Sequence, residues 1–254
     1  METITSLNNN RIVMYSKLND KKYRDEYGLF LLENYKLIIE AIKRNEEIEC
    51  IIIDENKIDK FTSVVNKLND KIIVVSSNIF SKVCDTKTSQ GIIAVIKIKE
   101  QLSLSSVSGK TLVLDRLQDA GNVGTLMRSA LGFGFKNIIL IDCVDIYNPK
   151  VIRSCGGSIF SLNLIKITEK ELLFNLKKNK FAVFTADMNG TNLYSINNFP
   201  IDMMLIIGNE GQGVSSALEE ASNYNISIPM DKQLESLNAG VSGSIIMSYI
   251  NSKN

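Results

Sequence analysis

The segment "TLVLDRLQDAGNVGTLMRSALGFGFKNIILIDC", Thr111–Cys143, carries the reading of the fold. Its two ends, "TLVLDRL" and "NIILIDC", are short aliphatic and β-branched runs that read as strands, and the stretch between them is helical in pattern. At about 100° per residue, Val123, Leu126, Ala130 and Phe133 share one face, while Arg128 points to the opposite side above Gly121 and Gly124. A lone arginine on such a helix is ordinarily a solvated charge. Its position over two glycines makes it a candidate binding group, and the rest of the chain has to decide between the two.

The same alternation runs along the whole chain. Before residue 100, "LFLLE", "IECIIID", "KIIVVSS" and "GIIAVIKIK" read as strands, separated by helix-like "YKLIIEAIKRNEE" and "KIDKFTSVVNKLN". After residue 110 the strand candidates are "TLVLDRL", "NIILIDC", "LNLIKI", "FAVFTAD", "MMLIIGN" and "NISIPM", with helices between most of them. That is the pattern of a mostly parallel sheet covered on both faces. The serine-rich stretch between them reads as a linker, which divides the chain into residues 1–100, a linker at 101–109, and residues 110–254.

Composition narrows the function. The 254 residues are enough for two modest domains with cores of their own, and 29 Lys plus Arg against 28 Asp plus Glu leave a net charge of +1. No strong overall field draws the protein to nucleic acid, so RNA binding would need a local basic patch. Arg11, Lys17, Lys21, Lys22 and Arg24 are one candidate, and a solvated helix offset by Asp20, Asp25 and Glu26 is the other reading of the same residues. With 4 cysteines far apart and 0 histidines, a zinc site and histidine-dependent nucleophilic catalysis are both disfavoured. The cysteines read as reduced, mostly buried thiols, and the polar start "METITSLNNN" lacks a signal-peptide pattern, which together predict a cytoplasmic protein.

In parallel α/β sheets ligands bind beyond the carboxyl ends of the strands. Three unusual segments fall there: "QDAGNVGT", "GNEGQGV" and "ESLNAGVSGS". The second is not a dinucleotide fingerprint, because its glycines run GxxGxG, and no lysine follows as a phosphate loop requires. Gly208, Gly211 and Gly213 allow close backbone approach, and Glu210 among them can orient a cation or bond a ligand. The third segment reads as a helix capped at Ser236, with Val241, Ile245 and Tyr249 as its stripe. Two glycines cost about 1 kcal/mol each inside a helix, so its first turns call for close approach by a ligand or another chain segment.

Taken in order, "NVGTLMRSALGFG", "LIIGNEGQGVS" and "ISIPM" followed by "ESLNAGVSGSI" resemble the three motifs of the SpoU (TrmH-like) RNA ribose 2′-O-methyltransferases of the SPOUT superfamily. "NPKVIRSCGGSIF" extends the resemblance, and "KKYRDEYGLFLLE" and "CDTKTSQGIIAV" look like the L30e-like substrate-binding extension of the family's rRNA enzymes. The resemblance implies an α/β fold in which a smaller L30e-like domain precedes a Rossmann-like SPOUT domain with a trefoil knot. It also implies a homodimer, S-adenosyl-L-methionine as cofactor, no metal, and RNA, foremost ribosomal RNA, as partner. A tRNA methylase, an antibiotic-resistance rRNA methylase and an inactive RNA-binding relative are the alternatives.

By this resemblance Asn122, Arg128, Glu210, Ser236 and Asn238 fall on the family's catalytic positions. Ile207, Gly208, Asn209, Gly211, Ile228, Pro229, Met230 and Leu237 fall on its cofactor-binding segments, where backbone groups do most of the holding. Two positions depart from the pattern: Ala120 stands where proline is common, and Asn34 where glycine is common. The resemblance would make Arg128 the proton acceptor, but a guanidinium holds its proton in water at neutral pH, so Arg128 reads as a cationic clamp on the phosphate beside the reacting ribose, with the phosphate or a water taking the proton. Asn122 at the helix start can fix the same phosphate, because that end of a helix presents free N–H groups.

Overall fold

Aliphatic runs such as "IIVV" and "MMLII" are buried along their whole length and become interior strands of two sheets. The computed structural model describes residues 1–86, 88–178, 181–231 and 233–253. The chain divides into two compact units, one of Met1–Lys99 with Tyr147–Arg153 and one of Glu100–Ile146 with Ser154–Asn254.

In the first unit the elements run β1 (Glu2–Ile4), α1 (Asn10–Lys17), α2 (Lys21–Tyr27), β2 (Leu29–Leu32), α3 (Tyr35–Lys43), β3 (Ile48–Asp54), α4 (Thr62–Lys67), β4 (Ile72–Val75), α5 (Ser77–Val83) and β5 (Ile92–Lys97). The sheet order is β1-β4-β3-β5-β2, with β1 and β3 parallel to β4, and β5 antiparallel to both β3 and β2. Ile12, Tyr15 and Leu18 pack onto Ile52, Ile73, Ile93 and Val95 as the core of one face.

Several expectations change here. The polar start forms an edge strand, pairing Ile4 with Val75, because one buried isoleucine suffices where three residues add to an existing edge. "KIDKFTSVVNKLN" is not one helix: the Asp54 side chain accepts from the Asn56 N–H and starts a 3₁₀ turn over Glu55–Phe61, leaving α4 only its second half. Asn34 caps α3, accepting from the N–H groups of Lys36 and Leu37, and its φ of −98° explains why glycine is not needed there. Arg24 leaves the candidate basic patch, since it is buried and donates from Nη1 to the Leu18 carbonyl at 2.6 Å.

The second unit continues with β6 (Lys110–Asp115), α6 (Ala120–Gly132), β7 (Asn137–Ile141), α7 (Pro149–Cys155), β8 (Asn163–Lys166), α8 (Glu169–Leu176), β9 (Ala182–Asn192), β10 (Met203–Ile207), α9 (Ser216–Glu220), β11 (Tyr224–Ser227) and α10 (Ala239–Ser252), of which α7 begins in the first unit. All five pairings of its sheet, β11-β9-β10-β6-β7-β8, are parallel. The chain leaves β6 toward one edge and returns on its other side through β9 and β10, so the strand order reverses between β10 and β6. A crevice at the carboxyl ends is expected at such a reversal. Val107, from the serine-rich stretch, is buried in this unit's core beside Val113 and Ile206.

Helices α6 and α10 lie against each other, and small residues set their separation. A Cβ on Gly243 would meet Leu126 Cδ2 at 2.4 Å and Ile207 Cγ1 at 3.3 Å, and Ser129 and Ser244 share a 2.7 Å hydroxyl hydrogen bond. The compensation for glycine in α10 is therefore a neighbouring helix. The inward stripe of α10 is Gly243, Ile246, Met247 and Ile250, not Val241, Ile245 and Tyr249; Val241 is 47% exposed. On α6, Val123, Leu126 and Ala130 are buried as expected, whereas Phe133 lies past the helix end as a half-buried C-cap.

Candidate active site

The site is built where β6 and β10 end, side by side, with Leu114 in register with Ile207. Beyond β10 the chain folds back tightly on itself. Asn209 and Gly213 exchange both backbone hydrogen bonds, at 3.0 and 2.9 Å, while the Asn209 carboxamide oxygen accepts from the N–H groups of Gly211 and Gln212. This closure dictates glycine at two positions. A Cβ on Gly208 would stand 2.2 Å from the Val214 nitrogen, and Gly213 takes a φ of +69°. The close approach at Gly208 is thus made by the loop's own backbone.

The loop is fastened from below by a pair that sequence reading passed over. Asp115 is fully buried at the end of β6 and accepts from Arg116 Nε and Nη2, both at 3.0 Å. Arg116 also donates to Gln212 Oε1 at 3.0 Å and to the Gly213 carbonyl at 3.2 Å, and its own carbonyl accepts from Asn209 Nδ2. Asp115 completes the fastening by accepting from the Ser215 N–H at 2.8 Å. These bonds to Asp115 raise the Arg116 guanidinium above the ordinary arginine range. They also hold Arg116 at a φ of +58°, which a residue with a Cβ rarely adopts unaided. The "LDR" tripeptide at a strand's carboxyl end is the sequence signal for this pair.

Asp119 caps α6, with its side chain accepting from the Asn122 N–H at 2.8 Å. The expected phosphate-binding N–H of Asn122 is therefore already engaged. Ala120 is the first helical residue, the position where proline is favoured, and the helix starts there without one. What Asn122 offers is its carboxamide: buried beside α10, it donates from Nδ2 to Glu210 Oε1 at 2.8 Å. Gly240 makes room for it, since a Cβ there would lie 3.3 Å from Asn122 Oδ1.

A cavity of about 760 Å³ opens above these contacts. Ile207, Gly208, Asn209, Glu210 and Gly211 line it from the second motif, and Ile228, Met230, Ser236, Leu237 and Asn238 from the third. Ala186, Asp187 and Met188 of β9, together with Val214, Glu219, Glu235, Ser242 and Ile246, also line it. Pro229 lies between two lining residues without lining the cavity itself. Ser236 is not the helix cap: Asn238 is, accepting from the Val241 N–H at 3.2 Å, which frees Ser236 to face the cavity.

The charges in this wall are of one sign. Asp187, Glu210, Glu219 and Glu235 line the cavity, and among its described lining residues there is no lysine or arginine. Such a wall opposes a dinucleotide or nucleoside phosphate and suits a ligand carrying positive charge. S-adenosylmethionine, with a sulfonium and an ammonium, fits that set of carboxylates, and Ile207, Val214, Ile228 and Ile246 give the wall an apolar part.

Arg128 lies outside the cavity, exposed on α6, and makes no hydrogen bond or ion pair among the described residues. Gly124 is not the bare backbone expected beneath it, because a Cβ there would meet Ser154 Cβ at 2.3 Å and the Cys155 nitrogen at 2.9 Å. Gly121 is open apart from the side chain of its neighbour Asp119. All four cysteines are free thiols, and burial pushes those of Cys50, Cys143 and Cys155 up to about 11. No cluster able to hold a metal occurs among the described residues.

Comparison with known proteins agrees with this geometry. Residues 9–94 match the MRM3-like substrate binding domain. The chain is 32% identical to the 23S rRNA (guanosine(2553)-2'-O)-methyltransferase RlmP of Bacillus subtilis, over 98% of this chain and 99% of that protein. A solved RNA 2'-O ribose methyltransferase superposes with a TM-score of 0.82 at 27% identity, covering 99% of this chain and 98% of the other. An AdoMet-bound rRNA methyltransferase from Sinorhizobium meliloti shares the fold, with a TM-score of 0.87 at 21% identity over 99% of this chain and 97% of the other. Residues 109–248 match the model of the SpoU rRNA Methylase family, and the chain belongs to that family.

Proposed function

We propose that the chain is an S-adenosylmethionine-dependent RNA methyltransferase that methylates a ribose 2′-hydroxyl of ribosomal RNA. The observation that carries this is the cavity with four carboxylates and no described cation, joined to the first motif by the hydrogen bond from Asn122 to Glu210. The relatives' names support ribosomal RNA over tRNA as the substrate class. No helix among the described residues is long and apolar enough to cross a membrane, and a cytoplasmic enzyme acting on ribosomal RNA is the reading that fits.

When bound, the cofactor supplies a methyl group on a positively charged sulfur. Glu210, Asp187, Glu219 and Glu235 favour that charge in the cavity, while the backbone around Gly208, Ile228 and Leu237 holds the adenosyl part. Asn122 fixes the Glu210 carboxylate, and Asn238 and Ser236 stand at the mouth of α10 as hydrogen-bonding groups for the incoming ribose. Arg128, without a partner among the described residues, grips the phosphate next to that ribose and stabilises the oxygen as its proton passes to the phosphate or a water.

Because Arg128 does not line its own chain's cavity, the reading includes a homodimer in which Arg128 of one protomer serves the cavity of its partner. It also includes the trefoil knot of the SPOUT fold, which would bring the loops after β10 and β11 together. Labelled-methyl transfer to unmodified rRNAs and tRNAs, followed by mapping of 2′-O-methyl positions by primer-extension pauses, tests the activity. Transfer to a ribose of 23S or 16S rRNA is expected, and no transfer to any RNA would overturn the proposal.

A further inference from the structure

Outside the cavity, the exposed face of α1 and α2 gathers two tyrosines and two lysines. Tyr23 and Tyr27, one helical turn apart, stack with their planes 16° apart and centroids 6.2 Å apart. The ammonium groups of Lys17 and Lys22 both sit on the Tyr23 ring, at 5.0 and 5.4 Å from its centroid. Neither lysine forms an ion pair among the described residues. The neighbouring carboxylates are used elsewhere: the Asp20 side chain accepts from the Lys22 N–H to cap α2, and Asp25 is paired with Lys21. Glu26 pairs with neither of the two lysines. Buried Arg24 anchors α2 by its bond to the Leu18 carbonyl, which holds the arrangement rigidly.

Two like charges held over one ring repel each other, and the fold tolerates this on a surface where an anion would relieve it. An aromatic pair bordered by two free cations has the chemistry for one unpaired base and its flanking phosphate: the ring offers a stacking face and the ammonium groups take the backbone charge. A net charge of only +1 makes the local arrangement matter, since no global field would hold RNA to the protein.

We infer that Lys17, Lys22, Tyr23 and Tyr27 form a contact site for single-stranded RNA, through which the first unit binds substrate. This rests on the reading of the chain as an RNA methyltransferase and gives it a specific surface. The surface recognises an unpaired base with its phosphate and carries no chemistry.

The test uses the full chain and a short, labelled, single-stranded RNA of mixed sequence, with affinity measured by anisotropy across a salt series. Combining Lys17→Ala with Lys22→Ala is expected to weaken binding about tenfold and to reduce the steepness of log K against log salt by about 1.4, the contribution of two phosphate contacts on a single strand. Tyr27→Leu, which keeps an apolar side chain but removes the ring, is expected to weaken binding about tenfold or more without altering the salt slope, while Tyr27→Phe restores it. Lys60→Ala with Lys67→Ala removes equal charge from exposed positions elsewhere and serves as the control. Equal losses in the control pair, or unchanged affinity and slope in the Lys17 and Lys22 variant, would overturn the site while leaving the methyltransferase reading intact. A wild-type protein that neither binds nor methylates RNA would instead remove the reading on which the site rests.

Discussion

The Asn122 carboxamide donates to Glu210 Oε1 at 2.8 Å, joining the first turn of α6 to a loop residue 88 positions further along the chain. This bond orients the only carboxylate of the glycine-rich loop and leaves its second oxygen for a ligand.

Asn122→Ala should therefore leave the fold intact and lower methyl transfer on the order of 10²-fold, the cost of letting a reacting group drift by about an ångström. Asn122→Asp should be worse, because it sets a second carboxylate against Glu210. Single-turnover rates at saturating cofactor, with circular dichroism as the folding control, decide this. Wild-type rates in both variants would show that Glu210 is positioned by something else.

At Arg128 the prediction separates a clamp from a base. Lysine keeps the charge but loses the bidentate fork, so Arg128→Lys should retain partial activity, while Arg128→Ala should lose about 10²- to 10³-fold. Cofactor affinity, read by calorimetry, should be unchanged, since the proposed partner of Arg128 is the RNA phosphate and not the cofactor. The pH–rate profile of the lysine variant should keep its shape and fall in height. Displacement of the rate-limiting ionisation toward the lysine range, with chemistry rate-limiting, would mean that this side chain takes the proton.

The Asp115–Arg116 pair should matter for both stability and cofactor binding. Arg116→Ala removes the partner of a fully buried carboxylate and releases Gln212 and the Gly213 carbonyl. A loss of about 2–4 kcal/mol is expected, at the lower end because Arg116 is partly exposed and Asp115 keeps its bond to the Ser215 N–H. Thermal unfolding with and without S-adenosylmethionine should show a lowered transition and a smaller cofactor-induced rise. A variant with normal cofactor affinity would make the pair purely structural.

Three substitutions distinguish the glycine-rich loop from the helix cap. Gly208→Ala places a methyl against the backbone of Gly213 and Val214, which cannot yield, so the loop should open and cofactor binding be lost while both sheets persist. Asn238→Ala removes the α10 cap and should cost about 1 kcal/mol, whereas Ser236→Ala should leave stability unchanged. Denaturant titration measures the pair; equal losses in both would return the cap to Ser236.

The amino-acid sequence by itself determined the strands and their buried character. "TLVLDRL", "NIILIDC" and "MMLIIGN" are apolar runs that only a covered parallel sheet can bury, and they occupy adjacent places in it. It also determined the family, because three short motifs in a set order are local in the chain and need no three-dimensional information. Asn209, Glu210 and Leu237 could be placed at the cavity on that basis.

Only the tertiary structure decided which group does which work. Gly208 answers to a neighbouring backbone and Gly243 to Leu126, distinctions that a glycine's letter does not carry, because its requirement is set by what approaches it. The α10 cap moved from Ser236 to Asn238 since either residue can cap and the packing of α10 on α6 chooses the helix start. Ala186–Met188 entered the cavity wall through the register of β9 beside β10, which no periodicity within β9 could reveal. The basic cluster near the N-terminus divided for the same reason: Arg24 turned inward to a carbonyl while Lys17 and Lys22 stayed on the surface, because burial of a charge depends on the partners that only the folded chain supplies.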